Sequence, residues 1–339
     1  MTVLALVLAA GVCAALPADG RGRRREYRKD FLYRSGTQLM LNGKPYRCAS
    51  FNSFQMSGCG NDYELFSLEQ IDSVFALLPP NMLVRTWAFP GNGERIGKVI
   101  GLAERHHVKL ILSLGDGRSS CGHFDGAPDG DNSGKVPEWY EGGFRREYLP
   151  HVVAMTSKYK DSPAIGMWEI INEPGDADWR TIKAFLDEVA AVIKRHDPNH
   201  LVESGTFPIW AYGGTENYRA MHESPNIDVG NIHEYDYDYE GSNQIESPHF
   251  MPCMEVMQEL GKVLLVGETG IESGDGCRTD RSTRVEAMKR KFDIYLSKGA
   301  GAVMVWNLVR IYPDCGFSFP LSDPLFGMIV SYPVNQTNE

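Results

Sequence analysis

The chain has 339 residues, with 34 Lys and Arg against 44 Asp and Glu, for a net charge of −10. Hydrophobic residues make up 42%, enough for one large core in a single domain. No basic stripe interleaved with aromatics is present, so nucleic acid is not an expected partner.

Met1–Ala15 is a short apolar run ending in small residues and reads as a signal peptide. It is too short to span a bilayer, and no later apolar run reaches ~20 residues. A secreted, extracellular protein without a membrane partner is expected. Residues 16–31 form a basic arm around Arg21–Arg25, a single domain is expected over 32–330, and 331–339 form a tail. That tail carries Asn335-Gln-Thr337, a glycosylation sequon.

Eight short apolar runs read as strands: Tyr46–Phe51, Met82–Thr86, Val108–Leu114, Ile165–Ile171, Leu201–Ser204, Val229–His233, Val263–Val266 and Ala302–Trp306. Their near-continuous apolar character fits strands covered on both faces. Helical patterns lie between them. Ser67-Leu-Glu-Gln70 forms a capping box that opens a helix toward Leu78. Trp179, Ile182, Phe185, Leu186, Val189 and Ile193 keep helical spacing until Asp197-Pro198. Val285, Met288, Phe292 and Tyr295 do the same until Gly299. Eight strands alternating with helices predict an α/β fold, a single-domain (β/α)8 TIM barrel. A doubly wound sheet is the alternative, but no GxGxxG or GxxxxGK motif supports a nucleotide site.

In a barrel, the C-terminal strand ends share one mouth. Those positions carry Asn52, Arg85, Trp87, Asn172, Glu173, His233, Tyr235, Glu268 and Trp306. Glu173 closes the run WEIINEP at 168–174 and Glu268 the run VLLVGE at 263–268. Either glutamate alone is an ordinary solvated strand end. Two carboxylates in one cleft are the equipment for glycosidic bond cleavage, one as acid and base, the other as nucleophile. Arg85 and Tyr235 are placed to hold Glu268 ionised. Apolar surroundings and the Glu268 charge are expected to keep Glu173 protonated. Asn172 can reach a sugar 2-OH, and His233 can orient a carboxylate or bind sugar. Trp87 and Trp306 offer apolar faces to a pyranose. Glu169 supports the site or points away, and Glu203 and Glu234 rank lower.

Removing the signal leaves six cysteines, which allow fifteen pairings. None has CxxC spacing, so no zinc site is expected, and neither metal nor cofactor is called for. Cys277 and Cys315 follow adjacent strands and are the preferred disulfide. Cys59 and Cys121 come next, with Cys48 and Cys253 free and buried.

WEIINEP resembles the acid/base motif of glycoside hydrolase family 5, retaining (β/α)8 glycosidases. His233-Glu-Tyr235, Val266-Gly-Glu268, Arg85 and Trp306 resemble that family's strand-six, nucleophile, strand-two and strand-eight positions, in order across roughly residues 32–310. RTWAF at 85–89, DPNHLV at 197–202 and LNGKP at 41–45 look most like endo-β-1,4-mannanases. The resemblance implies a monomeric enzyme that cuts internal β-1,4-mannosidic bonds of a poly- or oligosaccharide by double displacement. Glu173 would be acid/base and Glu268 nucleophile. The same chemistry on β-glucan, an exo-acting β-mannosidase and a non-catalytic carbohydrate-binding barrel are the rivals. The chain departs from the family at Thr269-Gly270 after the nucleophile and at Gly115-Asp-Gly-Arg118 after strand three.

Overall fold

A computed structural model describes residues 28–58, 65–118, 135–310 and 312–333. The expected signal peptide at 1–15, most of the basic arm, Cys59, Cys121 and the sequon lie outside them.

Eight parallel strands form the central sheet: β1 (Cys48–Phe51), β2 (Leu83–Trp87), β3 (Lys109–Ser113), β4 (Ile165–Glu169), β5 (Leu201–Glu203), β6 (Val229–Glu234), β7 (Val263–Thr269) and β8 (Ala302–Val305). The order β1-β8-β7-β6-β5-β4-β3-β2 follows the chain around a ring. β1 and β2 meet at its seam through the Asn52–Arg85 bridge, where Ser53 N–H donates to Arg85 O at 2.9 Å. Every residue of these strands is buried, as the sequence pattern predicts for a sheet covered on both faces. This is a (β/α)8 barrel.

Tyr46 belongs to a separate three-stranded antiparallel sheet rather than to β1. That sheet runs through Leu32–Ser35, Gln38–Leu41 and Lys44–Tyr46. Asn42 and Gly43, with φ of 51° and 81°, make its second turn, as Asn-Gly favours. A Cβ on Gly166, at the start of β4, would lie 3.0 Å from Leu32, and one on Gly301, before β8, 3.0 Å from Leu39. The sheet therefore covers the barrel end opposite the mouth.

The outer helices are α1 (Leu68–Ala76), α2 (Gly93–Arg105), α3 (Pro137–Glu141), α4 (Tyr148–Tyr159), α5 (Trp179–His196), α6 (Thr215–His222), α7 (Phe250–Glu259), α8 (Arg281–Ser297) and α9 (Pro324–Ser331). The capping box at α1 forms as expected, with Ser67 and Gln70 bonded reciprocally. α5 stops where Asp197 turns the chain inward. Its carboxylate accepts from Asn199 N, from His200 and, at 2.7 Å, from Trp168 Nε1 on β4. The helix stop thus anchors the strand that leads to Glu173. α8 buries Arg284 and Lys291 as well as apolar residues, because each meets an acid, Asp323 and Glu234 respectively.

Candidate active site

Glu268 is aimed by an irregularity in β7. Pairing with β6 runs Val266 to Ile232, then jumps to Glu268 opposite His233, leaving Gly267 as the extra residue. Gly267 N–H donates to Asn231 Oδ1 at 2.8 Å, and its carbonyl accepts from Asn52 Nδ2 at 2.9 Å. A Cβ there would stand 2.3 Å from Asn231 Oδ1, so only glycine fits.

Glu173 sits just past β4 with φ of +50°, an uncommon conformation for a residue with a side chain. Its backbone is held from two sides. Glu173 N–H donates to Gly205 O at 2.9 Å, and Gly117 N–H donates to Asn172 O at 2.6 Å. Gly205, at φ +72°, has no room for a Cβ, which would lie 1.7 Å from Ile171 O. The Gly115–Arg118 departure thus has a local reason. A Cβ on Gly117 would meet Glu173 O at 2.4 Å.

Arg85 ties the site together. Its five N–H groups meet five acceptors: both Glu169 oxygens, Asn172 Oδ1 at 2.7 Å, Asn52 Oδ1 at 2.9 Å and Glu268 Oε1 at 2.6 Å. It is fully buried, its guanidinium 4.7 Å above the Trp87 ring. Burial opposes its charge, but Glu169 and Glu268 hold it protonated. Arg85 stands beside Glu268 as expected, and Glu169, which supports the site rather than pointing away, takes the two-pronged contact.

Tyr235 OH donates to Glu268 Oε2 at 2.7 Å. His233 Nδ1 lies 2.8 Å from Glu173 Oε1 and 3.5 Å from Glu268 Oε1. Asn231 Oδ1 is taken by Gly267, so its Nδ2 faces His233 Nε2 as the donor, at 3.1 Å. The network therefore assigns the histidine proton to Nδ1, pointing at Glu173. Burial pulls His233 down to about 4, so it is neutral near pH 7.

Burial pushes Glu173 up to about 7, with Arg85 and Arg118 pulling the other way and Glu169 adding to the rise. The expected repulsion between the two glutamates falls on Glu268, and Glu169 is a second negative neighbour that raises Glu173. Burial, and after it the Glu173 charge, raise Glu268 against the pull of Arg85 and the Tyr235 hydroxyl; His233 adds to that pull only where it is protonated.

One carboxylate oxygen of each glutamate and a ring nitrogen of His233 lie within 4.8 Å of one another. Three such groups can form a cation site in principle. Here a guanidinium already stands 2.6 Å from Glu268, and His233 presents hydrogen rather than a lone pair.

The remaining expected residues sit around this centre. Asn172 is buried, with Oδ1 on Arg85 and Nδ2 donating to Asp116 at 3.0 Å. Trp306 is half-buried, stacked on Phe54 at 6.0 Å and leaning on Trp87 at 5.7 Å. Trp87 is only 4% exposed and packs under Arg85 and against Phe89, so it supports more than it displays. Two further aromatics, not among the expected residues, join the site. Phe207 lies 6.3 Å from His233, and Trp210 lies 5.6 Å from Phe207 and is 58% exposed. Their position directly after β5 was the available signal.

Thr269-Gly270 also has a physical account. Thr269 donates to buried Glu234, which pairs with Lys291 at 2.8 Å. A Cβ on Gly270 would press on Tyr235 and Phe317. Phe317 packs on Tyr235 at 4.9 Å and follows Cys315, whose disulfide with Cys277 forms as expected. Cys48 and Cys253 are free and buried, also as expected. The Cys59–Cys121 expectation lies outside the described residues.

Residues 94–297 match the cellulase model, glycosyl hydrolase family 5. The chain belongs to that family. It is 26% identical over 337 residues to mannan endo-1,4-beta-mannosidase 8 of Oryza sativa subsp. japonica, covering 81% of this chain and 90% of that one. The endo-1,4-beta-mannanase of Rhizomucor miehei superposes with a TM-score of 0.68 at 20% identity, over 89% of this chain and 97% of that one. The beta-mannanase of the blue mussel Mytilus edulis gives 0.60 at 18%, over 88% and 95%. At such identities the two structures speak to the fold of this family 5 glycosidase.

Proposed function

We propose that this family 5 glycosidase hydrolyses internal β-1,4-mannosidic bonds with retention of configuration, as a secreted protein. The observation that carries the mechanism is the close approach of the two carboxylates, with oxygens within 4.8 Å. Retaining pairs stand ~5–5.5 Å apart, whereas inverting pairs leave ~6.5–9.5 Å for a water. Mannan as substrate is supported by the mannan-acting relatives and by the segments at 85–89, 197–202 and 41–45.

In the first step, Glu268 attacks the anomeric carbon while Glu173 gives its proton to the leaving oxygen. Arg85 and Tyr235 hold the attacking carboxylate in place. Forming the glycosyl ester removes the charge on Glu268 just as Glu173 becomes negative. The pair thus keeps one negative charge, and no second buried anion is created. Glu173 then deprotonates water, with His233 Nδ1–H bonded to one of its oxygens.

Secretion is supported by the Met1–Ala15 run and the disulfide. The test is a reducing-end assay on mannan, galactomannan, carboxymethylcellulose and laminarin, with size analysis of the products. Mannan and galactomannan should yield a spread of oligosaccharides. Faster release from laminarin or carboxymethylcellulose would move the substrate to β-glucan, and mannose alone would make the enzyme exo-acting.

A further inference from the structure

Glu203 ends β5 directly beside Glu169 on β4, its register partner, and both are fully buried. Arg85 is the cation of this cluster, and its five N–H groups are all committed elsewhere. Glu203 Oε1 accepts the Gly205 N–H at 2.9 Å. Glu203 Oε2 is sealed from solvent, and no N–H or hydroxyl donor among the described residues reaches it. Its neighbour is the Glu169 carboxylate, within hydrogen-bonding reach. Two ionised carboxylates with half a guanidinium between them are not tolerated in such a place. One keeps a proton, and it is the one that does not face Arg85.

We propose that Glu203 is a positioning residue of the site, a neutral carboxylic acid that donates Oε2–H to Glu169 while its Oε1 fixes the Gly205 turn. This rests on the glycosidase reading of Glu173 and Glu268. Through side chains, Glu203 steadies Glu169, which holds Arg85, which holds Glu268. Through the backbone, the Gly205 carbonyl it anchors accepts the Glu173 N–H. One buried acid, touching no substrate, thereby bears on both glutamates. Among the described residues, the titratable groups around this pair are Arg85 on β2, Glu173 just past β4, neutral His233 on β6, Tyr148 on α4 and Tyr218 on α6. Burial keeps both phenols un-ionised. Burial first, then the Glu169 charge, drives Glu203 well above the usual carboxylate range, in keeping with the geometry.

The amide of Glu203→Gln reproduces this arrangement, its carbonyl facing Gly205 N–H and its NH2 facing Glu169. Glu203→Gln should therefore leave kcat/KM within about twofold of wild type and both limbs of the pH profile in place. Glu203→Leu removes donor and acceptor together and should lower kcat/KM roughly tenfold, with kcat rather than KM carrying the loss. Infrared spectra at pH 9, where Glu173 is ionised, should show a protonated-carboxyl band in wild type that Glu203→Gln lacks. An ionised Glu203 would show no such band, and its replacement by Gln would move the acidic limb down. Either result overturns the proposal, as does a Leu variant indistinguishable from wild type. If the Leu variant does not fold, the Gln variant and the spectra still decide. The infrared band needs no turnover, so failure of the glycosidase reading is seen separately, as a wild type inactive on every glycan.

Discussion

Glu268 is gripped on both oxygens, by Arg85 at 2.6 Å and Tyr235 at 2.7 Å, and its side chain is 5% exposed. Glu173 has His233 at 2.8 Å on one oxygen, is 18% exposed, and rides on a left-handed residue beyond the end of its strand. Two identical side chains at one barrel mouth are thus prepared for different work. A nucleophile gains from a fixed position and a compensated charge. An acid/base gains from a carboxyl whose charge is easily changed, and burial sets Glu173 at about 7, which suits the role proposed for it.

Removing the gripped carboxylate should have the largest effect. Glu268→Ala leaves no group to form the glycosyl ester, and kcat/KM should fall by about 10⁴-fold or more on every substrate. Added azide should enter from the vacated face and give the α-glycosyl azide.

Glu173→Ala should cost about 10²–10⁴-fold on polysaccharide and far less on aryl mannosides with a good leaving group. Azide should then speed turnover and give the β-glycosyl azide, because the nucleophile remains. In wild type, kcat/KM should fall as pH rises through about 7, where Glu173 loses its proton. That limb should vanish in Glu173→Ala. Opposite stereochemical outcomes in the two variants would exchange the roles.

Tyr235→Phe tests the grip itself. A hydrogen bond to a charged group is worth ~1.5–3 kcal/mol, so kcat/KM should drop roughly 10- to 100-fold. The Tyr235 bond favours ionised Glu268. Losing it raises the nucleophile's pKa, and the acidic limb should move to higher pH. A limb that stays in place with activity intact would leave the hydroxyl without a part in the grip.

The gripped side was the more legible in sequence. Strand ends marked by Arg85, Glu268 and Tyr235 announce themselves, because an apolar run that stops at a charged group is a local pattern. The eight strands were legible for the same reason, with Tyr46 misassigned because the sheet at the barrel's closed end abuts β1 almost without a break. The supports were not legible. Glu169 and Glu203 differ from any buried or solvated acid only through register across strands, and Gly267 reads as an ordinary glycine until the pairing slips around it. Phe207 and Trp210 carry no mark of their own in the sequence, because aromatics are mostly core and the exposure of Trp210 appears only once the chain is folded.

Those two aromatics allow the finest test of the contrast. Phe207 adjoins His233, the partner of Glu173, so Trp210 lies on the acid's side of the cleft. In the proposed mechanism, sugar beyond that side belongs to the leaving group, because Glu173 is the residue proposed to protonate the oxygen that departs. An exposed indole face there gains contact with a pyranose only when the substrate extends that far. If the indole–pyranose contact matches the ~0.5–1.5 kcal/mol of a pair of aromatic rings, Trp210→Ala should raise KM roughly two- to tenfold on long mannan chains. An aryl mannoside has no sugar in that position, and its kinetics should not change. Equal losses on both substrates would mean that Trp210 braces Phe207 and His233 instead. The indole would then belong to the machinery that holds Glu173, and the leaving group would have to be gripped by other residues.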